Sequence, residues 1–409
     1  MSRNTLGIIV FVAFTAGLFA IFAIFGEKPP APVEPAPPPD QSRSKRVEAA
    51  PIEFKNTSLD VHYLGDQACE NCHFNETESF RRHPMSKSVG EMAKLDLPPL
   101  PQTLKFGKLQ YSIEKRDGKT FHNVEELDQT GKSVKKESKP VPIYMGSGQR
   151  GLTFFLDNAG KLVQSPIAWY SNPGRYDIAP GFTAINNDYF QRDSLRNCFF
   201  CHTNHVEKTD DEPGRMHAKV IGCERCHGPG ELHVNQQEKQ GSIDPTIVNP
   251  AKLTPTRRDM VCYQCHLQLD TREDIEGKTI ADYRPGLDLE NYVRRSANAG
   301  ADPYNRFKSS SHINQMELST CFEKSDGKMG CLSCHNPHEW PEKATKVEYY
   351  RNKCLSCHTR PEPCALPPVS RLAQSPENNC IGCHMPRQSA VDKAHTALTD
   401  HGIRRVPLQ

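Results

Sequence analysis

The stretch GCERCHGPGELH, residues 222–233, contains the pattern that decides the fold of this 409-residue chain. Its centre is Cys223-Glu224-Arg225-Cys226-His227, in which two residues separate the cysteines and a histidine follows directly. The pattern Cys-x-x-Cys-His occurs seven times, at Cys69–His73, Cys198–His202, Cys223–His227, Cys262–His266, Cys331–His335, Cys354–His358 and Cys380–His384. Such repetition predicts one kind of chemistry at seven places.

The spacing within each motif suits covalent attachment of a c-type haem. Two thiols three residues apart lie one helical turn apart, so each can bond one vinyl group of a porphyrin while the adjacent imidazole reaches the iron. The predicted attachment residues are Cys69, Cys72, Cys198, Cys201, Cys223, Cys226, Cys262, Cys265, Cys331, Cys334, Cys354, Cys357, Cys380 and Cys383. The predicted proximal ligands are His73, His202, His227, His266, His335, His358 and His384. We therefore expect seven covalently attached haem c groups.

Zinc binding and dithiol redox chemistry are the alternative interpretations of a Cys-x-x-Cys pair. Zinc takes four ligands, usually from two such pairs, and does not require a histidine directly after the second cysteine. A dithiol centre normally occurs once in a chain. Neither alternative explains a histidine at the same position in all seven motifs.

Two cysteines, Cys321 and Cys364, remain outside the motifs. In an exported protein two spare cysteines can pair, so we expect a Cys321–Cys364 disulfide that ties together the C-terminal haem region. Two unpaired, buried thiols are the alternative.

Residues 1–26 predict an N-terminal signal-anchor helix. Leu6 to Phe25 is a run of twenty residues without a charge, which as a helix spans roughly 30 Å, the thickness of a bilayer core. No small-residue cleavage site follows it closely, although cleavage remains the alternative. Because haem is attached to c-type cytochromes after export, we expect the haem domain on the periplasmic or outer face of a membrane.

The rest of the chain divides into a linker and a body. Residues 27–56 begin with a proline-rich stretch, PPAPVEPAPPPD, that predicts an extended spacer. Residues 57–409 form the predicted seven-haem domain, which is poor in apolar residues: 36% of the chain is hydrophobic and the mean hydropathy is −0.65. We expect porphyrins to supply much of its core. The net charge of +2 argues against a nucleic-acid partner.

A motif-free interval of 124 residues, 74–197, has a different character. Alternating apolar residues flank Asp117-Gly118, and the pattern repeats around Asp157–Gly160; both predict β-hairpins. We therefore expect a small antiparallel β insert at about 102–170. From residue 190 on, short helices are expected to carry the motifs. The predicted fold is mainly α with many loops, a multihaem cytochrome c fold organised around stacked haems, plus the β insert.

Ten further histidines are available as sixth iron ligands, more than seven bis-histidine haems need. The candidate distal ligands are His83, His217, His233, His312, His338, His395 and His401. His338 follows the proximal His335 by three residues, so it should serve a neighbouring haem. His205 is left open, and His62 and His122 are not expected to bind iron. Met85, Met316 and Met385 are alternatives for which packing is the more ordinary role.

The segments GCERCHGPGELH, MGCLSCHNPHE and CIGCHMPR, with the closing His395 and His401, resemble multihaem cytochromes of the cytochrome c-554 type. These are related to the octahaem hydroxylamine oxidoreductases and the pentahaem nitrite reductases. The resemblance implies a mainly helical body, stacked haem pairs, mostly bis-histidine ligation and electron transfer outside the membrane. The β insert and the seven motifs depart from the four-haem pattern. All seven motifs also lack the Cys-x-x-Cys-Lys that marks the catalytic haem of the nitrite reductases.

These features predict a membrane-anchored electron carrier between respiratory partners, either quinol-linked proteins or other cytochromes, with no catalytic residue assigned. Such a role needs no general base or nucleophile. The alternative is a reductase or oxidase of a small nitrogen or sulfur compound with one five-coordinate haem. A subunit that serves a catalytic partner within a larger respiratory complex is a third possibility.

Overall fold

The computed structural model describes residues 53–404, apart from 99–102, 184–189, 191, 193–194, 207–219, 237–242, 268–271, 296–306 and 361–363. The described residues all belong to one compact unit. The signal-anchor predicted at 1–26 and most of the linker lie outside the described residues. Within the described part, no helix combines the length and the apolar character needed to cross a membrane.

Nine strands lie between Val89 and Ile178 in the described chain. They are β1 (Val89–Glu91), β2 (Leu104–Phe106), β3 (Leu109–Arg116), β4 (Lys119–Leu127), β5 (Ser133–Pro140), β6 (Ile143–Met145), β7 (Gly151–Asn158), β8 (Lys161–Tyr170) and β9 (Arg175–Ile178). They form two antiparallel sheets, with strand orders β2-β3-β4-β5 and β1-β6-β7-β8-β9.

Two tight turns set the register of these sheets. Asp117 and Gly118 join β3 to β4 with φ angles of 49° and 73°, so that Arg116 pairs with Lys119. Two consecutive residues with positive φ make a turn whose twist matches that of the strands, which favours Asp-Gly. A similar turn joins β7 to β8. Both hairpins expected from the sequence are confirmed.

The two sheets enclose an apolar core made of protein side chains alone. The residues that they bury together are Met92, Leu109, Tyr111, Val124, Val141, Leu152, Phe154, Leu156, Val163, Ile167, Tyr176 and Phe190. Full burial of one such large side chain contributes about 1.5–3 kcal/mol. The β region therefore has an apolar core of its own as a source of stability.

Short helices and loops make up the remainder. The α-helices are α1 (Gln67–Glu70), α2 (Phe74–Arg81), α3 (Leu195–His202), α4 (Glu224–His227), α5 (Glu231–Gln236), α6 (Pro255–His266), α7 (His312–Met316), α8 (Thr320–Lys324), α9 (Lys346–Leu355), α10 (Pro368–Gln374) and α11 (Cys380–His384). Single 3₁₀ turns occur at Lys55–Thr57, Pro84–Lys87, Met92–Lys94, Pro250–Lys252, Ile280–Asp282, Leu289–Asn291 and Cys331–Ser333. Two small hairpin sheets pair β10 (Arg272–Asp274) with β11 (Val293–Arg295) and β12 (Arg387–Ser389) with β13 (Ala397–Thr399).

The expectation of a mainly α fold with a small β insert is wrong. Only 31% of the structure is helical and 23% is strand, with four antiparallel sheets in the described chain. The strands extend from Val89 to Ile178, beyond the predicted range of about 102–170. β5 lies inside the predicted range but shows no strand pattern of its own, because half of the eight residues in SVKKESKP are charged and most of the eight are exposed. The helices, in turn, are only 4 to 12 residues long.

The β region packs directly on the helix of the second motif. Phe155 of β7 lies against Phe199 of α3, with ring centroids 5.0 Å apart, inside a small apolar cluster. The Ser88 hydroxyl donates to the carbonyl oxygen of His202 at 2.7 Å and accepts from the Ile221 amide at 3.0 Å. These contacts fix the sheet relative to the segments that hold the second and third motifs.

We predict that His122 makes the β region sensitive to acid. Its ring is fully buried beside Phe154 and bonds the Ser165 hydroxyl at 2.7 Å, and burial lowers its pKa to about 3. The unfolded chain takes up this proton near pH 6.5, so stability present at neutral pH is lost as pH falls from about 6.5 towards 3. Between pH 7 and 5 the loss should be about 2 kcal/mol.

The measurement is hydrogen exchange of strands β3 and β4, corrected for the intrinsic pH dependence of exchange. The opening free energy of the His122→Leu protein should depend less steeply on pH than that of the unaltered protein. His62→Leu is the control, because the His62 side chain is 77% exposed. Equal pH dependence in His122→Leu and the unaltered protein would show that His122 is not the cause.

Candidate haem-binding site

All seven motifs adopt the same local conformation, a single helical turn. In four of them the histidine amide donates to the carbonyl oxygen of the first cysteine at 2.9–3.0 Å: His73 to Cys69, His227 to Cys223, His335 to Cys331 and His358 to Cys354. The other three lie inside α3, α6 and α11. Both thiols of each motif therefore lie within one turn, as attachment to a single porphyrin requires.

Glu224, inside the third motif, joins three motif segments through its buried carboxylate. Oε1 accepts from the amides of Leu64 and Gly230 at 2.8 and 2.9 Å. Oε2 accepts from the Gly65 amide at 2.8 Å and from Nδ2 of Asn204 at 3.1 Å. Residues 64–65 precede the first motif and Asn204 follows the second. The four donors compensate the loss of water around a side chain that is 2% exposed.

Two further carboxylates each cap the first cysteine of a different motif. Oδ1 of Asp66 accepts from the Cys223 amide at 2.8 Å, and Oδ1 of Asp259 accepts from the Cys331 amide at 3.3 Å. Each aspartate stands three residues before the first cysteine of its own motif, Cys69 or Cys262. The first motif is thus tied to the third, and the fourth to the fifth.

A glycine makes each of these caps possible. Gly222 and Gly330 directly precede the capped cysteines, and a Cβ at either position would collide with the carboxylate of Asp66 or Asp259. The sequence combination is therefore Asp-x-x-Cys-x-x-Cys-His in one partner and Gly-Cys-x-x-Cys-His in the other. The cap between two motifs needs both the aspartate of one and the glycine of the other.

Arg284 anchors the segment that leads into the first motif. Its guanidinium donates to the carbonyl oxygens of Asn56, Ser58, Leu59 and Val61. The side-chain amide of Asn56 in turn donates to the carbonyl oxygen of His227 at 2.9 Å. The proximal histidine of the third motif is therefore held by the chain that precedes the first.

Hydrogen bonds link neighbouring motif segments in series. Asp66 ties the first motif to the third, Nε2 of Gln264 in the fourth motif donates to the Arg225 carbonyl oxygen of the third at 3.1 Å, and Asp259 ties the fourth to the fifth. The helix that leads into the sixth motif carries Tyr350, whose hydroxyl lies 3.4 Å from His335 of the fifth, and Arg351, which donates to the Glu377 carbonyl oxygen before the seventh at 2.8 Å. Thiols of different motifs also lie close enough to shift each other's pKa, in the pairs Cys69–Cys223, Cys201–Cys265, Cys262–Cys331 and Cys354–Cys380.

In the Cys201–Cys265 and Cys354–Cys380 pairs the two thiol pKa values shift in opposite directions. The hydrogen bond from Cys265 lowers the pKa of Cys201 to about 7, and that from Cys354 lowers the pKa of Cys380 to about 6. The pKa of each bonded partner is raised. A lowered thiol pKa favours the thiolate, the more nucleophilic form.

Four proximal histidine rings lie close to a second histidine ring, at centroid distances that can be compared with those of metal ligation. An imidazole nitrogen binds a transition metal at about 2 Å, so two imidazoles on opposite sides of one metal have ring centroids roughly 6 Å apart. The centroid distances are 6.3 Å for His73–His233, 5.8 Å for His227–His338, 6.2 Å for His335–His401 and 5.3 Å for His266–His312. These residues fit bis-histidine ligation of haem iron.

Burial keeps most of these rings neutral. It lowers the pKa of His335 and of His202 to about 4, and it also lowers the pKa values of His227, His266, His312, His338 and His401. A neutral imidazole has the free lone pair that a metal requires.

Hydrogen-bond partners at Nδ1 leave Nε2 as the nitrogen available to a metal. His227, His384 and His401 lie at 2.7–3.0 Å from the backbone carbonyl oxygens of Val248, Arg404 and Thr399. The hydroxyl of Tyr350 lies 3.4 Å from Nδ1 of His335. His233 differs, because its Nδ1 lies 2.8 Å from a carboxylate oxygen of Asp244.

The structure places two candidate distal ligands against other partners. Nδ1 of His83 accepts from the Met85 amide, and its ring packs on Trp340. Nε2 of His395, the nitrogen that would bind iron, lies 2.7 Å from Oδ2 of Asp177. A third candidate, His217, lies outside the described residues.

The three histidines left out of the candidate set also have protein partners. His205 stacks on Tyr63 with ring centroids 3.9 Å apart, and His62 bonds Glu231 at 2.9 Å. His122 lies in the β core. The expected Cys321–Cys364 disulfide is absent, since both thiols are free.

Sequence reasoning missed Glu224, Asp66, Asp259 and Asp244. The two aspartates before motifs had a signal, namely the shared spacing of three residues to the first cysteine. Glu224 occupies a variable position inside its motif, and nothing in the sequence marks Asp244.

Family models match two parts of the chain. "Cytochrome c554 and c-prime" matches residues 183–228, and "Doubled CXXCH motif" matches residues 325–363. Both matches cover well under half of the chain. No curated protein sequence matches it significantly.

A solved structure, the crystal structure of the outer cell wall cytochrome OcwA, has a similar fold. The TM-score is 0.52 at 16% sequence identity, and the alignment covers 84% of this chain and 79% of that one. At this identity the similarity concerns the fold alone. With the motifs and the family matches, it supports one class: this chain is a multihaem c-type cytochrome whose cofactor is haem c.

We predict that Glu224→Gln destabilises the haem region. Whichever way the new amide is oriented, its NH₂ group faces two N–H donors that the carboxylate oxygen had accepted from. Hydrogen bonds to a charged group contribute about 1.5–3 kcal/mol each, so the unfolding free energy should fall by about 3 kcal/mol or more. Denaturant titration and the haem content per chain measure the effect.

Glu78→Gln is the matched control, because the Glu78 side chain is exposed and pairs only with the neighbouring turn of its helix, at Arg81. If Glu224→Gln and Glu78→Gln were equally stable and equally loaded with haem, the carboxylate would not hold the motif segments together.

Proposed function

We propose that this protein transfers electrons along a continuous relay of haem c groups attached at all seven motifs. The observation that carries the proposal is the series of hydrogen bonds that joins neighbouring motif segments, from Asp66 before the first motif to Arg351 beside the seventh. When bound, haem c supplies a one-electron redox centre at each motif. The protein holds these positions with buried carboxylates and backbone hydrogen bonds, so that little rearrangement accompanies each transfer.

We assign the distal ligands by ring geometry. His233 serves the motif of His73, His338 that of His227, His312 that of His266 and His401 that of His335. Each distal residue comes from a different motif segment than the proximal one, so ligation itself would hold neighbouring segments together. Saturated ligation suits electron transfer rather than catalysis on a substrate, which requires an open iron position.

Two motifs of the relay reach the protein surface, where they suit contacts with redox partners. Cys72 of the first motif and Cys357 of the sixth are the two exposed cysteines among the sixteen. We therefore propose that one-electron donor and acceptor proteins, quinol-linked or other cytochromes, dock near these two motifs.

We further propose that the protein works outside the cytoplasm, held to the membrane by residues 1–26 with the haem body on the outer face. The apolar run from Leu6 to Phe25 supports the anchor. The fold shared with an outer cell wall cytochrome is consistent with this location. Membrane association of the full chain that resists carbonate extraction is the expected result, and release by carbonate would contradict it.

The function is tested on the oxidised holoprotein by haem counting and low-temperature EPR. Seven haems per chain and low-spin signals are expected. His338→Met should alter one low-spin signal, whereas His395→Met should alter none, because Nε2 of His395 is engaged by Asp177.

Two outcomes would contradict the proposal. Fewer than seven haems in the unaltered protein would break the relay. A high-spin signal that shifts on addition of nitrite or hydroxylamine would favour the alternative, a reductase or oxidase with one five-coordinate haem.

A further inference from the structure

His233 is held differently from the other histidines that face a proximal ring. Its Nδ1 lies 2.8 Å from Oδ2 of Asp244, and its ring centroid lies 6.3 Å from that of His73. Asp244 cannot easily turn away, because its other oxygen accepts from both the amide and the hydroxyl of Thr246, a fully buried residue. The carboxylate is thus fixed on Nδ1, which leaves Nε2 of His233 as the nitrogen available to a metal.

The corresponding partners elsewhere are uncharged. His401 and the proximal His227 and His384 face backbone carbonyl oxygens, and His335 faces a tyrosine hydroxyl. A hydrogen bond to a carboxylate shifts more negative charge onto an imidazole than one to a carbonyl does, which makes it a more basic ligand. A more basic ligand stabilises the oxidised state of iron over the reduced state.

We propose that Asp244 is a positioning residue that lowers the reduction potential at the first motif, Cys69–His73, by acting through His233. This inference rests on the proposed ligation of that motif by His73 and His233. The redox change is the gain of one electron from a protein donor. The proton stays between Nδ1 and the carboxylate in both states, so no proton needs to enter or leave.

A second acid on the same segment separates this effect from simple charge. Glu231 lies on α5, as His233 does, but its carboxylate binds the amide and Nδ1 of His62 at 2.9 Å. Glu231→Gln therefore removes one negative charge nearby without touching the His233–Asp244 bond. It is the matched control for Asp244→Asn.

The experiment is a spectroelectrochemical titration of the holoprotein, combined with EPR and haem counting. Asp244→Asn should raise the midpoint potential of one haem by at least about 59 mV. At a fixed potential, the ratio of oxidised to reduced forms of that haem then falls at least tenfold. The EPR g-values of one low-spin haem should change with it. Glu231→Gln should produce a much smaller shift and no EPR change.

His233→Met supplies the second test, since Asp244→Asn should have no further effect on any midpoint once His233 is replaced. If His233→Met leaves every low-spin signal unchanged, the proposed ligation of the first motif is overturned. If His233→Met alters one low-spin signal, the ligation stands. If Asp244→Asn then shifts no midpoint potential, or shifts it only as much as Glu231→Gln does, only the role of Asp244 is overturned. Asp244→Glu keeps the negative charge and should retain the low midpoint potential. It replaces Asp244→Asn as the test variant if Asp244→Asn loses haem.

Discussion

Carboxylates that accept backbone amides of a different motif, two of them buried, are the constraint on which the haem region depends. Glu224 gathers donors from around the first, second and third motifs, while Asp66 and Asp259 each cap the first cysteine of a partner motif. Because a buried carboxylate is costly without donors, these groups have few alternative arrangements. The motif segments are therefore held in register by polar bonds rather than by a large apolar core.

The apolar clusters around the motifs show why polar bonds are needed there. One buries six residues, among them Phe200 and Tyr283, and another buries four, including Phe54 and Val248. Clusters of this size contribute little by themselves compared with the entropy of ordering the long loops around them. Carboxylate caps and, in the proposed holoprotein, iron–histidine bonds from one segment to another supply the remaining cohesion.

The sequence was sufficient to predict the features that depend only on residues close together in the chain. The cysteine spacing predicted haem attachment, and the alternation about Asp117-Gly118 predicted a hairpin. It failed for the extent of the sheets, because β1 and β9 lie outside the predicted range and are too short to show an alternating pattern. Within that range, β5 had no apolar alternation of its own, since it is stabilised by its neighbours and by charged pairs such as Lys136–Glu125. It also did not predict that His338 faces His227, because contacts between residues more than a hundred positions apart depend on the packing of the whole chain.

The β region and the motif region are stabilised by different forces, and this has a consequence for cooperativity. The sheets bury a dozen hydrophobic side chains together and depend on no cofactor, whereas the motif segments depend on carboxylate caps and on haem. Two such parts of one compact unit have no reason to melt at one temperature or to lose structure at one rate. Removal of haem should therefore leave a partly folded chain, with an ordered sandwich attached to loosened motif segments, rather than a random coil.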